Sequence, residues 1–275
     1  MVKKSIKSIL ILCLVILFSQ SVFAETAGFN GVNSYSSLFY GDCNYGNRAG
    51  ASYVNNLSSA LIGSTISTSF KHTDENANES HLRTDSVVNS VGFYAFSGHG
   101  LNQATYSTAH FYARSSGEPW HDAPMEDYES VNATTLETKF GHNKLKWVTM
   151  YSCNWLTNGG DTQKQTNIYK TFEGATLTMG FASIMYLDSR EGTEYGNNIK
   201  NGLSFRKAFI EAAKKYQVQR TDGDSIARVA GYTLSKDDTA TVYFASLPTS
   251  TWYVNSPSSY SVIETVTIPH TGNPI

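Results

Sequence analysis

Three stretches, residues 91–96, 146–151 and 175–182, are apolar at nearly every position and stop abruptly at small or polar residues. Short apolar runs without alternation are what strands buried on both faces look like, and a parallel sheet covered by helices buries its strands in that way. Residues 64–70 are β-branched and short, and read as a further strand. Between these runs the period changes. Residues 47–61 place Ala51, Val54, Leu57, Ala60 and Leu61 at i, i+3, i+4 spacing, the packed face of a helix, with Asp42 or Asn44 as candidate caps. Phe205, Ala208, Phe209, Ala212 and Ala213 form a second stripe over residues 203–216. Shorter helices are expected over 162–172 and over 193–200, the latter ended by Gly202. Residues 240–247 read as a late strand, and the Thr, Val, Tyr and Ser alternation within 248–275 as an edge strand.

Strands alternating with helices predict an α/β fold, with a mostly parallel central sheet and helices on both faces. Residues 101–130 stand outside the alternation. They are aromatic and loop-like, and include Glu118-Pro119-Trp120-His121-Asp122. They read as an insertion at the carboxyl edge of the sheet. No repeat or linker divides residues 25–275, which are expected to form a single domain.

The first 24 residues have a separate logic. Lys3, Lys4 and Lys7 precede an apolar run over 9–18, and Val22-Phe23-Ala24 supplies small residues before Glu25. This is the pattern of a secretory signal peptide, and its apolar run is too short to span a bilayer. Export is expected, to the outside or to a periplasm if the source has two membranes. No later stretch predicts a membrane span, so no membrane partner is expected after cleavage.

Composition narrows the partners. The 275 residues are 40% hydrophobic, 13% aromatic and 16% charged, which excludes a disordered chain. The formal net charge is −2. Cleavage after residue 24 removes three lysines and no acid, so 18 basic against 23 acidic residues leave −5. With no Lys/Arg block beyond the first ten residues, a nucleic-acid binder driven by phosphate neutralisation is not expected. Two cysteines remain, Cys43 and Cys153. In an oxidising compartment they suggest one disulfide, and that reading competes with a reactive thiol.

The candidate chemistry sits at strand ends. His99 follows the first apolar run in Ser97-Gly98-His99-Gly100, and Cys153 follows the second in Ser152-Cys153-Asn154, 54 residues later. Open α/β sheets place their ligand crevices at the carboxyl ends of strands. If these strands are neighbours, an imidazole faces a thiol, the pairing that a cysteine nucleophile needs. The amides of Gly100 and Cys153 are then candidates for stabilising an oxyanion. Asp188, Arg190 and Glu191, after the third apolar run, are candidates for substrate binding; the acids would favour a basic side chain and Arg190 an acidic one. Trp155 is bulky enough to narrow the crevice.

These two blocks, an apolar strand ending in His-Gly and an apolar strand ending in a small residue and Cys, resemble the caspase-like (clan CD) cysteine peptidases. That superfamily includes clostripain, gingipains, legumain and separase, and the nearest likeness is to an uncharacterised group of secreted bacterial proteins within it. The resemblance runs over residues 47–216. It implies a caspase-like three-layer sandwich, with His99 as catalytic histidine, Cys153 as nucleophile and an oxyanion hole at Gly100 and Cys153. The expected activity is that of a secreted cysteine endopeptidase acting on a protein or peptide substrate. The alternative is an inert exported binding or toxin-like module on the same fold, with Cys43 and Cys153 disulfide-bonded.

Other clusters point less clearly. His110, His121, Asp122, Glu118, Glu126, Asp127 and Glu129 lack zinc-ligand spacing and read as a solvated acidic loop. Asp222-Gly223-Asp224 and Asp237-Asp238 are fragments of calcium loops without the full ligand series. No cofactor and no metal are expected, and the sequence leaves the oligomeric state open.

Overall fold

The computed structural model describes residues 25–33, 49–78, 80–83, 85–102, 107–112, 120–124, 140–141, 143–157, 171–172, 174–241 and 260–271. The elements, in chain order, begin with β1 (Glu25–Gly31), α1 (Gly50–Ala60) and β2 (Ile66–Thr73). The one-turn helices α2 (Ser80–Arg83) and α3 (Asp85–Val88) follow, then β3 (Phe93–Ser97). Next come β4 (Gly100–Asn102), β5 (Ser107–Tyr112), β6 (Trp120–Pro124), β7 (Trp147–Tyr151) and β8 (Leu177–Phe181). The chain then forms α4 (Ser189–Lys200), α5 (Phe205–Tyr216), β9 (Ser225–Gly231) and β10 (Ser261–Ile268).

Seven strands build one sheet in the order β10-β9-β8-β7-β3-β1-β2. The ladders from β2 through β1, β3 and β7 to β8 are parallel. Those joining β9 to β8 and β10 to β9 are antiparallel. The fold is α/β as expected, but the sheet is mixed rather than mostly parallel. The physical reason lies at one edge. The 220–224 turn leads α5 straight back into β9 beside β8, so β9 runs opposite to its neighbour, and β10 then closes the edge against it.

The apolar runs are buried on both faces. In β3, Phe93 and Ala95 join one core, while Tyr94 and Phe96 join the other. In β7, Trp147 and Tyr151 alternate likewise with Val148 and Met150. Helices α1, α4 and α5 cover the first face, where Trp147 stacks on Phe205 at 4.2 Å and Phe181 meets Phe209 at 5.5 Å. Full burial of each such ring stabilises the fold by about 1.5–3 kcal/mol. The second face is covered by Leu82 of α2, Val88 of α3 and the aromatic residues Phe140, Trp155, Phe172 and Tyr260. Among the described residues, no helix is long and apolar enough to cross a membrane.

Helix boundaries depart from expectation for local reasons. The start of α1 is capped from a distance: Asn33 Oδ1, just past β1, accepts the amides of Ala51 (2.7 Å) and Ser52 (3.3 Å). The candidate caps Asp42 and Asn44 lie outside the described residues. Asn33→Ala leaves those amides unsatisfied and should lower unfolding free energy by about 1 kcal/mol. An unchanged urea midpoint would count against the cap. Helix α4 starts before the expected residue 193, because Gly192 and Gly196 serve packing rather than termination. A Cβ at Gly192 would lie 2.4 Å from Tyr53 O, and one at Gly196 2.7 Å from Ala60 Cβ, so these glycines let α4 lie close against α1. Gly202, with φ +87°, ends the helix as expected.

Two strands, β1 and β9, have no counterpart among the expected elements. The expected insertion at 101–130 contains β4, β5 and β6, a separate antiparallel sheet rather than loop. The expected edge strand near the carboxyl end is β10. Residues 240–241 form a bend, and the rest of the expected strand at 240–247 lies outside the described residues, as do the expected leader at 1–24, Cys43 and most of the expected helix at 162–172.

Candidate functional site

The site grows out of a ladder. β3 and β7 pair in parallel from Phe93↔Trp147 to Ser97↔Tyr151. The Gly98 amide extends the pairing by donating to Tyr151 O at 3.3 Å. His99 and Cys153 therefore stand at equivalent positions, each two residues beyond the last pair, at the carboxyl ends of neighbouring strands. Both are half-buried, and both line one cleft of about 660 Å³.

Beyond Tyr151 the chain turns sharply. The Ser152 amide donates to Met150 O, and Asn154 adopts φ +58°, a left-handed conformation that asparagine tolerates. Asn154 N donates to Ser183 O at 2.9 Å, tying the cysteine turn to the segment after β8. Trp155 does not narrow the cleft. It is fully buried in the second core, edge-on to Phe140 at 6.5 Å, because the turn at Asn154 swings it to the opposite face.

The sulfur has a defined environment. The Met185 amide donates to Cys153 Sγ at 3.5 Å, and the Met185 carbonyl lies 4.0 Å from the same sulfur. One residue's backbone can thus accept from a thiol through its carbonyl or donate to a thiolate through its N–H, and donation to the charged form favours it. Cys43, the other half of the alternative disulfide, lies outside the described residues.

Gly100 begins β4, pairs with Ala109 and packs directly on the cysteine turn. A Cβ there would lie 2.3 Å from Cys153 O and 3.0 Å from Ser152 Oγ. Only glycine lets the two backbones approach so closely. Gly100→Ala should cost about 1–3 kcal/mol by overpacking. It should also slow alkylation of Cys153 by displacing its turn. A wild-type melting temperature and labelling rate in this variant would show that the close approach is unimportant.

The far wall consists of Ile184, Met185, Tyr186 and Leu187 after β8, with Arg220, Thr221 and Asp222 after α5. The expected substrate-binding residues are in the right neighbourhood but a few positions too late. Asp188, Arg190 and Glu191 do not line the cleft. Asp188 caps α4, accepting from Arg190 N at 2.8 Å, and its carboxylate takes the Arg190 guanidinium (2.6 Å from Nη2) and Gln219 Nε2. Glu191 is fully buried, where Tyr151 Oη and Gln217 Nε2 each donate to its Oε2 at 2.7 Å. Loss of solvation pushes this carboxyl up to about 8, against the pull of the Gln217 and Tyr151 hydrogen bonds and with a further push from Asp188.

Charge at the cleft comes instead from Arg220 and Asp222. The nearly buried guanidinium donates to Asp222 Oδ1 (2.7 Å), Ile184 O (2.9 Å) and Asp224 O (2.6 Å). It fastens the 220–224 turn to the segment after β8 and holds Asp222 below its ordinary range. Asp224 is likewise lowered, by His270 Nδ1 at 2.8 Å. The acids of the calcium-loop fragment thus serve different ion pairs. Among the described residues no group of three or more His, Cys, Asp or Glu could hold a metal. His110 and Asp122 occupy paired positions on β5 and β6, with His121 one position on, opposite Phe111. Glu118, Glu126, Asp127 and Glu129 lie outside the described residues. Sequence reasoning missed Gln217 and Arg220. The only available signal was their place immediately after a strongly amphipathic helix.

Among curated proteins none matches this chain. Among solved structures, the crystal structure of protein GSU0716 from Geobacter sulfurreducens is similar at 10% identity, over 68% of this chain and 88% of that one. Its TM-score of 0.38 is too low to bear on fold or function. Residues 29–250, from β1 through the cleft and beyond β9, match the family described as a domain of unknown function (DUF6345), and the chain belongs to that family.

Proposed function

We propose that this protein is an exported cysteine endopeptidase of the caspase-like type, in which Cys153 attacks the scissile carbonyl and His99 protonates the leaving amine. The observation that carries the reading is the β3–β7 register, which sets His99 and Cys153 side by side at the carboxyl end of the sheet. The strand order supports the caspase-like arrangement: five parallel strands with β1 inside β2, followed by an antiparallel strand. Partial exposure of Cys153 and the Met185 amide at its sulfur suit a thiolate nucleophile.

The acyl-enzyme forms when Sγ bonds to the carbonyl carbon and the C–N bond breaks, the amine leaving with a proton from His99. Water then adds to the thioester and releases the acid and the thiol. The amides of Gly100 and Cys153 are placed in the proposal as the oxyanion donors. Substrates are proteins or peptides, met outside the cell or in a periplasm after removal of residues 1–24.

The test is iodoacetamide labelling of the secreted, non-reduced protein with peptide mapping, alongside hydrolysis of an unstructured protein such as casein. Selective labelling of Cys153 near neutral pH together with hydrolysis supports the reading. A Cys43–Cys153 disulfide that blocks labelling until reduction would sink it and favour the inert binding module.

A further inference from the structure

We infer that Gln217 is a positioning residue for Cys153, holding Tyr186, the residue next to the one that presents its N–H to the sulfur. The inference rests on the reading of Cys153 as nucleophile, but its geometry is independent of any substrate.

Gln217 lies just past the end of α5 and is completely buried. Its side-chain amide pairs with the backbone of Tyr186 on both sides: Tyr186 N donates to Oε1 at 2.8 Å, and Nε2 donates to Tyr186 O at 2.7 Å. The loop residue is gripped as a neighbouring strand would grip it. Tyr186 directly follows Met185, whose amide donates to Cys153 Sγ. Loops on a cleft wall are ordinarily mobile, and a hydrogen bond to sulfur is lost with a small rotation of the peptide that makes it. Fixing the next residue at both N and O restrains Met185 from its carbonyl side and limits that freedom.

The clamp is itself oriented. Tyr186 N–H and C=O dictate which end of the amide is oxygen, and Ser225 Oγ steadies that orientation as a second donor to Gln217 Oε1 at 3.1 Å. Nε2 also lies 2.7 Å from Glu191 Oε2 and 3.2 Å from Tyr151 Oη. Tyr151 is the last residue of β7, two positions before Cys153. The network thus ties both walls of the cysteine's surroundings, the end of β7 and the segment after β8, to one buried amide. Unlike the exposed rim, the side chains of this network that grip Tyr186 and one another, Gln217, Glu191, Tyr151 and Ser225, are wholly buried, where geometry is set by packing.

The experiment is the pH dependence of Cys153 alkylation in the full mature chain, treated with a reductant that is removed before labelling. The other charged or titratable groups at the cleft among the described residues, His99, Tyr186, Arg220 and Asp222, are left intact. Gln217→Met keeps the length of the side chain and removes both bonds to Tyr186. It should shift the alkylation profile upward by about one pH unit, so that labelling at pH 7 slows about tenfold. Ser225→Ala removes only the orienting hydroxyl and should give a smaller shift of the same sign. Glu191→Gln keeps an acceptor for the Gln217 amide and should leave the profile near wild type.

Wild-type profiles in both Gln217→Met and Ser225→Ala would overturn the inference, and Ser225→Ala alone decides if Gln217→Met does not fold. An equal shift in Glu191→Gln would also overturn it, by showing a general loosening rather than a directed contact. A wild-type thiol that alkylates with the ordinary profile of exposed cysteine would show that the Met185 amide does not activate it. Normal activation and clamp-dependent shifts without any hydrolysis would instead overturn the peptidase reading and leave the positioning role standing.

Discussion

On the proposed mechanism, Cys153→Ala and His99→Ala each reduce hydrolysis by about a thousandfold or more, and the double variant is no slower than either single one. The size follows from the division of labour. Without Sγ there is no acyl-enzyme, and without the imidazole the amine must leave unprotonated, so each loss removes the same pathway. Non-additivity is the sharper part of the expectation. Residues that merely support the fold lose stability independently and add, whereas members of one catalytic unit do not. Neither substitution should unfold the chain, since both side chains are only half-buried and project past the last paired residues of β3 and β7. Melting temperatures near wild type with activity gone would support a dyad. Additive losses, or hydrolysis undiminished in Cys153→Ala, would remove Cys153 from the chemistry.

The placement of His99 and Cys153 at neighbouring strand ends was legible because the two residues are announced by the strongest local signal in the chain. Runs such as Phe93–Ser97 and Trp147–Tyr151 are buried on both faces, so their apolar character is continuous and their ends are sharp. Helix α5 was equally legible, since Phe205, Ala208, Phe209, Ala212 and Ala213 all lie in the core as their spacing requires. Strands β1 and β9 were not. Glu25–Gly31 contains two glycines and Ser225–Gly231 an arginine, residues poorly suited to announcing a buried strand. They are strands because of their neighbours: a Cβ at Gly28 would fall within the Phe70 ring, and Arg228 Nη1 donates to Leu156 O at 2.7 Å. The far wall of the cleft was misplaced for a similar reason. Charge drew attention to Asp188, Arg190 and Glu191, but the cap at Asp188 turns the chain into α4 and away from the cleft. The wall is formed by the apolar residues just before it, which carry no chemical label in the sequence.

Glu191→Gln should stabilise the protein increasingly as pH rises. The wild-type carboxyl is fully buried with no cation at hydrogen-bond distance among the described residues, and burial raises it from 4.5 to about 8. Asp188 contributes to that rise from nearby, its own carboxylate already joined to Arg190. Tyr151 and Gln217 both donate to Oε2, and Oε1 has no hydrogen-bond partner among the described residues, so the proton of the neutral acid belongs on Oε1. The buried tyrosines Tyr53, Tyr151 and Tyr195 are all raised above their ordinary value and stay neutral, so they add no negative charge beside the carboxyl. In the unfolded chain Glu191 ionises in the ordinary carboxyl range. Between about pH 5 and pH 8 the folded state therefore holds one proton that the unfolded state has lost. Stability contributed by that proton is fully present at low pH and declines by about 1.4 kcal/mol per pH unit until the folded carboxyl itself ionises. Glutamine is the uncharged counterpart of the protonated acid and has no such slope. The difference in unfolding free energy between Glu191→Gln and wild type should thus grow by about 3–5 kcal/mol from pH 5 to pH 8. Urea unfolding of both proteins across that range measures it directly. A constant difference would mean that Glu191 keeps the same protonation state folded and unfolded, and that water or a counter-charge reaches the carboxyl in solution.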